Sequence, residues 1–159
     1  MNISDSQLVK LSNITRGEFD GDIDMINILI LKDRTNLIDT LVVNDISFNF
    51  IIDMEGNVHE TLPVGKLSTM SERYCEIGQY SGKNEVTIAI VAGHIVNSEA
   101  TAKAVRNILG RLMYRGVAEL KVSKNFNIVN FKGVNDLIAR DYDPRLIVDI
   151  LFAYFKEFI

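Results

Sequence analysis

Two short aliphatic stretches constrain this chain more than any other feature. Residues 26–31 read Ile-Asn-Ile-Leu-Ile-Leu between Asp24 and Lys32, and residues 85–92 read Glu-Val-Thr-Ile-Ala-Ile-Val-Ala ahead of Gly93. Runs so short and so rich in isoleucine lack the apolar–polar alternation of a strand with one face in water. They read as strands buried within a sheet. At 159 residues the chain has the length of one domain and can bury a core of its own. The expectation is a single domain over 1–159, with a core at 24–159 and an N-terminal extension at 1–23.

The remaining signals alternate between strand and helix. Residues 3–11 form a short helix with Leu8 and Leu11 on its apolar side, while residues 36–43 fit a helix or a strand equally. Residues 48–53 and 58–61 flank Met54-Glu55-Gly56-Asn57 as a β-hairpin, with Gly56 and Asn57 expected to supply positive φ angles. Residues 62–84 read as a long surface loop. Ser98 caps a helix over residues 98–115 that carries Ala102, Val105, Ile108, Leu109 and Leu112 at helical spacing and stops at Gly116. A third strand follows at 117–122 or 126–131. Asp143 and Pro144 then open a C-terminal helix whose buried stripe is Leu146, Ile147, Ile150, Leu151, Tyr154 and Phe155. The fold class is therefore α/β, a mixed central β-sheet flanked by helices.

Composition excludes several functions. With a net charge of −4 and no basic stripe, the surface repels phosphate backbones, so no nucleic-acid partner is expected. Cys75 is the only cysteine, which fits a reducing compartment. The first ten residues lack a signal-peptide pattern, and no apolar run is long enough for a membrane. A cytoplasmic location is expected.

Catalytic patterns are equally sparse. Ser98 and Ser123 lack a nucleophile-elbow context, and Gly78, Gly82 and Lys83 have the wrong spacing for a phosphate loop. The acidic pairs Glu18/Asp20 and Asp22/Asp24 read as a solvated turn. The two histidines, His59 and His94, read as surface residues and Cys75 as a passive one; a metal site built from these three is the alternative.

The segment Phe48-Asn49-Phe50-Ile51-Ile52-Asp53-Met54-Glu55-Gly56-Asn57-Val58 resembles a signature of the zinc N-acetylmuramoyl-L-alanine amidases and peptidoglycan-recognition proteins. There a Tyr-His-Phe-type strand leads into an Asp-Gly turn and a short return strand. Residues 86–93 resemble that family's second core strand, and residues 98–115 its long helix. A third strand, a loop and a C-terminal helix correspond to residues 117–159. The resemblance spans about residues 24–156 and implies an amidase-like fold.

It also implies a zinc site that this chain does not reproduce. The family's first ligand falls on or beside Lys32, the second on Asn130 and the third near Ala139, and its catalytic tyrosine aligns with Phe48. An ammonium, an amide and a methyl are not zinc donors. Asp141 or Asp143 offers one oxygen, which is too few. The resemblance thus implies a pseudoenzyme with no zinc or other cofactor, whose former pocket is a binding surface around Lys32, Phe48, Asn130 and Arg140. The expected role is binding another protein, as a phage-encoded virion component or intracellular modulator in the host cytoplasm. The alternatives are a peptidoglycan-fragment binder and a hydrolase with a relocated metal site. The C-terminal helix, with Phe152 and Phe158 beside Tyr154 and Phe155, also offers a homo-oligomer contact.

Overall fold

The computed structural model describes residues 1–70, 84–92, 98–112 and 117–123. Among them lie the helices α1 (Asp5–Ser12), α2 (Leu37–Val43) and α3 (Ser98–Leu112). The strands are β1 (Gly17–Glu18), β2 (Ile23–Lys32), β3 (Phe50–Ile52), β4 (Val58–Glu60), β5 (Lys66–Leu67), β6 (Glu85–Ala92) and β7 (Val117–Ser123). Five strands form one sheet in the order β4-β3-β6-β2-β7, and β1 pairs with β5 in a small second one. In the main sheet β3, β6, β2 and β7 are mutually parallel and β4 alone runs antiparallel. The chain is α/β with a mixed sheet.

Side-chain alternation explains the two aliphatic runs. From β2, Ile26, Ile28 and Ile30 enter one apolar cluster while Leu29 and Leu31 enter another. Strand β6 divides in the same way, with Val86, Ile88 and Ile90 on one face and Ala89 and Val91 on the other. Both faces are covered, which is why neither strand carries a polar stripe. Helix α3 covers the first face with Ala104, Val105, Ile108, Leu109 and Leu112. Helices α1 and α2 cover the second with Leu11, Leu37, Ile38 and Leu41.

Helix α1 starts from a capping box. The Ser4 hydroxyl accepts from the Gln7 amide at 3.1 Å, and the Gln7 side chain accepts from the Ser4 amide at 2.9 Å. Gln7 also donates to Asp39 at 2.9 Å, fixing α1 beside α2. The N-terminal segment therefore contributes to the core, with Leu11 buried. Residues 36–43, ambiguous in sequence, are helical from Leu37 and are entered through Asn36 at φ 57°. No described helix is long and apolar enough to cross a membrane.

Three expectations are corrected. Residues 62–70 are not a surface loop: Leu62, Leu67, Ser68, Thr69 and Met70 are buried and Lys66–Leu67 forms β5. Buried polar bonding, rather than an apolar periodicity, holds this segment. The Asn49 amide donates to the carbonyls of Leu62, Pro63 and Lys66 at 3.3, 3.2 and 3.0 Å. Its oxygen accepts from the Thr87 amide at 2.9 Å, and the Thr87 hydroxyl donates to Ser68 at 2.7 Å. In the hairpin turn Gly56 has positive φ, whereas Asn57 does not. Phe48, expected on a binding surface, is fully buried.

Phe48 and Phe50, two residues apart, enter opposite apolar clusters. Asn49 between them accepts from two successive amides, Thr61 at 3.0 Å and Leu62 at 3.3 Å. Thr61 and Leu62 together oppose Asn49, which is the geometry of a bulge on the returning strand, and Phe48 lies in the cluster that α2 covers.

Gly56 meets two demands together. Its φ is +86°, and an added Cβ would lie 2.9 Å from the Ala100 Cβ and 3.1 Å from the Ala100 carbonyl oxygen in α3. Gly56→Ala is expected to cost about 2 kcal/mol, from backbone strain and from displacement of the helix start. A shift of the thermal midpoint checks this.

Candidate functional site

The four parallel strands end on one edge of the sheet, the edge where open α/β sheets hold their ligands. Lys32 closes β2 there, paired in register with Ala92 at the end of β6, while Ile52 of β3 pairs with Ile90. Two strand spacings, roughly 10 Å, separate β2 from β3. Lys32 and the following Asp33 and Arg34 are exposed. A lysine that ends a buried strand keeps its ammonium in water while its stem covers the apolar end of the sheet.

At the end of β3 the hairpin builds a second polar group. Asp53, with its side chain 1% exposed, bonds His59 Nε2 through Oδ2 at 2.9 Å. The Met1 ammonium lies 3.5 Å from the same oxygen. The other oxygen, Oδ1, accepts from the Glu55 and Asn57 amides at 3.0 and 2.8 Å and ties the turn. Burial raises the Asp53 carboxyl, but the bonds from His59 and Asn57 and the Met1 ammonium outweigh it and bring the pKa down to about 2. An ionised carboxylate only accepts, so Nε2 of His59 donates and Nδ1 is left for other partners.

The sequence reading missed this pair, since it placed His59 as an ordinary surface histidine. His59 is instead half-buried in β4 and faces Ile51 across the hairpin. Asp53 and His59 flank the turn on one side of the ribbon, so the spacing across it carried the signal.

The lowered Asp53 pKa has a defined pH consequence. A carboxyl whose folded pKa lies below its ordinary 3.8 stabilises the fold above that value and loses the contribution as pH falls towards about 2. Between pH 5 and 2 the loss assigned to Asp53 is about 2 kcal/mol. Urea midpoints across that range should fall more steeply for the natural protein than for Asp53→Asn.

Of the residues singled out in sequence, Lys32 stands on the strand edge, exposed, while Phe48 lies in the core below α2. Asn130, Arg140, Ala139, Cys75, His94, Asp141 and the C-terminal helix from Asp143 lie outside the described residues. Among the described residues no group of three or more His, Cys, Asp and Glu side chains is placed to hold a metal. The Asp53–His59 pair orients one imidazole and fixes a turn; one ring nitrogen is not a catalytic metal centre. No family model matches the chain, and no curated protein or solved structure matches it.

Proposed function

We propose that this chain is a zinc-less, amidase-like pseudoenzyme that acts by binding another protein, as a phage-encoded virion component or intracellular modulator. The observation that carries the reading is Lys32. It ends strand β2, exposed, at the edge where the parallel strands finish and where the resemblance implies the first zinc ligand. A fixed cation there opposes a divalent metal, and a donor set of lysine, asparagine and a residue near Ala139 does not fit zinc. The order of elements supports the fold assignment. Buried strand β2, the β3–β4 hairpin that turns between Asp53 and Gly56, the second buried strand β6, the long helix α3 and the third strand β7 come in that order over residues 23–123, with α2 and β5 between them.

The binding surface is now centred on Lys32 with Asp33 and Arg34, and Phe48 leaves it because its ring is buried. The test is a photo-crosslinking residue at position 32, compared with one at Val9 on the exposed side of α1, in the cells that make the protein. A discrete adduct from position 32 and none from position 9 is expected. Stoichiometric zinc with cell-wall hydrolysis by the purified protein overturns the reading, as does tight binding of muropeptides without any protein adduct.

A further inference from the structure

Strand β4 stands at the end of the main sheet, with β3 on one side and no strand on the other among the described residues. Its backbone pattern follows from its neighbours. The Asp53 amide donates to the Asn57 carbonyl at 3.0 Å, and the Thr61 amide to the Asn49 carbonyl at 3.0 Å. Bonded pairs in an antiparallel ladder recur at every second residue, so Ile51 and His59 are the bonded pair between these two. The amides and carbonyls of Val58 and Glu60 therefore face outward, at the spacing that an added strand requires.

The side chains of this edge define the strand that fits it. Val58 packs, partly buried, against the apolar cluster that α3 covers, so an aliphatic residue laid beside it extends that cluster. Glu60 is exposed. Residues 35–65 contain no lysine or arginine, while Asp53, Glu55 and Glu60 all lie in the hairpin. The Met1 ammonium lies 3.5 Å from Asp53 and 3.9 Å from Glu55, whereas no cation among the described residues pairs with Glu60. That carboxylate also argues against a second copy of this chain as the occupant. Antiparallel pairing of two β4 strands about His59 sets the two Glu60 side chains on one face, diagonal to each other at roughly 7–8 Å. At that distance salt screens their repulsion only in part.

We propose that the open edge of β4 takes up an extended segment of a partner protein as an added strand, with a lysine or arginine opposite Glu60 and an aliphatic residue opposite Val58. Main-chain bonds to Val58 and Glu60 hold the segment, while the cross-strand ion pair and the aliphatic contact select it. Three residues offer few bonds, so the contact is weak and reversible. The inference rests on the protein-binding reading for its class of partner. Its surface is distinct from Lys32, since β3 and β6 separate β4 from β2 in the sheet.

The test uses the full chain and a soluble peptide with Lys-Thr-Val at its centre, which antiparallel pairing sets against Glu60, His59 and Val58. In an excess of this peptide, hydrogen exchange at the Val58 and Glu60 amides is expected to slow at least ~10-fold, while the His59 amide, already bonded to β3, changes little. A peptide with glutamate in place of the lysine should bind at least ~3-fold more weakly at low salt. Glu60→Lys, at an exposed position, should melt as the natural protein does and prefer the glutamate peptide. Unchanged exchange at both amides overturns the inference, as does a lysine preference that survives Glu60→Lys. Protection of the two amides that rises with protein concentration in the absence of peptide assigns the edge to a second copy and overturns it too. A failed titration with the position-32 adduct intact removes this edge and leaves the protein-binding reading standing.

Discussion

Phe48→Ala is expected to lower the free energy of unfolding by about 3–5 kcal/mol. The ring is fully buried in the cluster formed by Leu41, Ile46, Ile51, Met70 and Ala89. Its neighbours are held by the sheet on one side and by α2 on the other, so the space left by the ring cannot close readily. A cavity lined by sheet residues retains most of the lost contact energy as a penalty. Domains of this size are stable by about 5–15 kcal/mol, so one substitution removes a large fraction of the total. The urea midpoint measures it. A loss below about 1 kcal/mol would mean that the ring is solvated after all.

Asn49→Ala is expected to cost about 3 kcal/mol or more, although it removes only a short polar side chain. Three carbonyls, those of Leu62, Pro63 and Lys66, lose their common donor, and the Thr87 amide loses its acceptor. The Pro63 carbonyl keeps its bond from the Lys66 amide, so the cost arises chiefly from the buried Leu62 carbonyl and Thr87 amide, which lose this partner where water does not enter without opening the structure. The amide orientation follows from the partners: carbonyls only accept, so the nitrogen faces them, and the Thr87 amide only donates, so the oxygen faces it. Asn49→Asp places an ionised oxygen against those carbonyls. Its folded pKa is expected to rise, so its stability deficit should be larger at pH 7 than at pH 4. Denaturant unfolding at the two pH values separates the variants.

The sequence made the regular elements legible wherever an apolar period was strong. Strand β6 has the bounds expected from its aliphatic run, and Ala102, Val105, Ile108, Leu109 and Leu112 all face the core from α3. The hairpin was legible from its turn, although Gly56 alone takes the positive φ. Hydropathy fails where polar side chains are buried together. Ser47, Asn49, Ser68, Thr69 and Thr87 are all buried, yet Ser68 and Thr69 read as part of a surface loop and a polar side chain taken alone gives no sign of burial. Their mutual bonds remove the cost of burying them, and such bonds have no sequence period. The same limit hid the inward placement of Phe48, whose ring and that of Phe50 enter different clusters, and the Asp53–His59 pair, which exists only across the folded hairpin. The exposed Lys32 was legible because it abruptly ends an aliphatic run.

The order in which the sheet's strands leave the ribosome bears on how the protein reaches its native state. β2 is among the first strands to be made, and it pairs on one side with β6 and on the other with β7, whose six register partners run from Val117 to Ser123. A nascent chain halted before Val117 therefore holds its most aliphatic strand with one hydrogen-bonding edge open. Parallel pairing across such separations is slow to form, and an open edge of this kind recruits other chains. The interval between synthesis of β2 and arrival of its second neighbour is thus the stage at which wrong pairing has its widest opportunity.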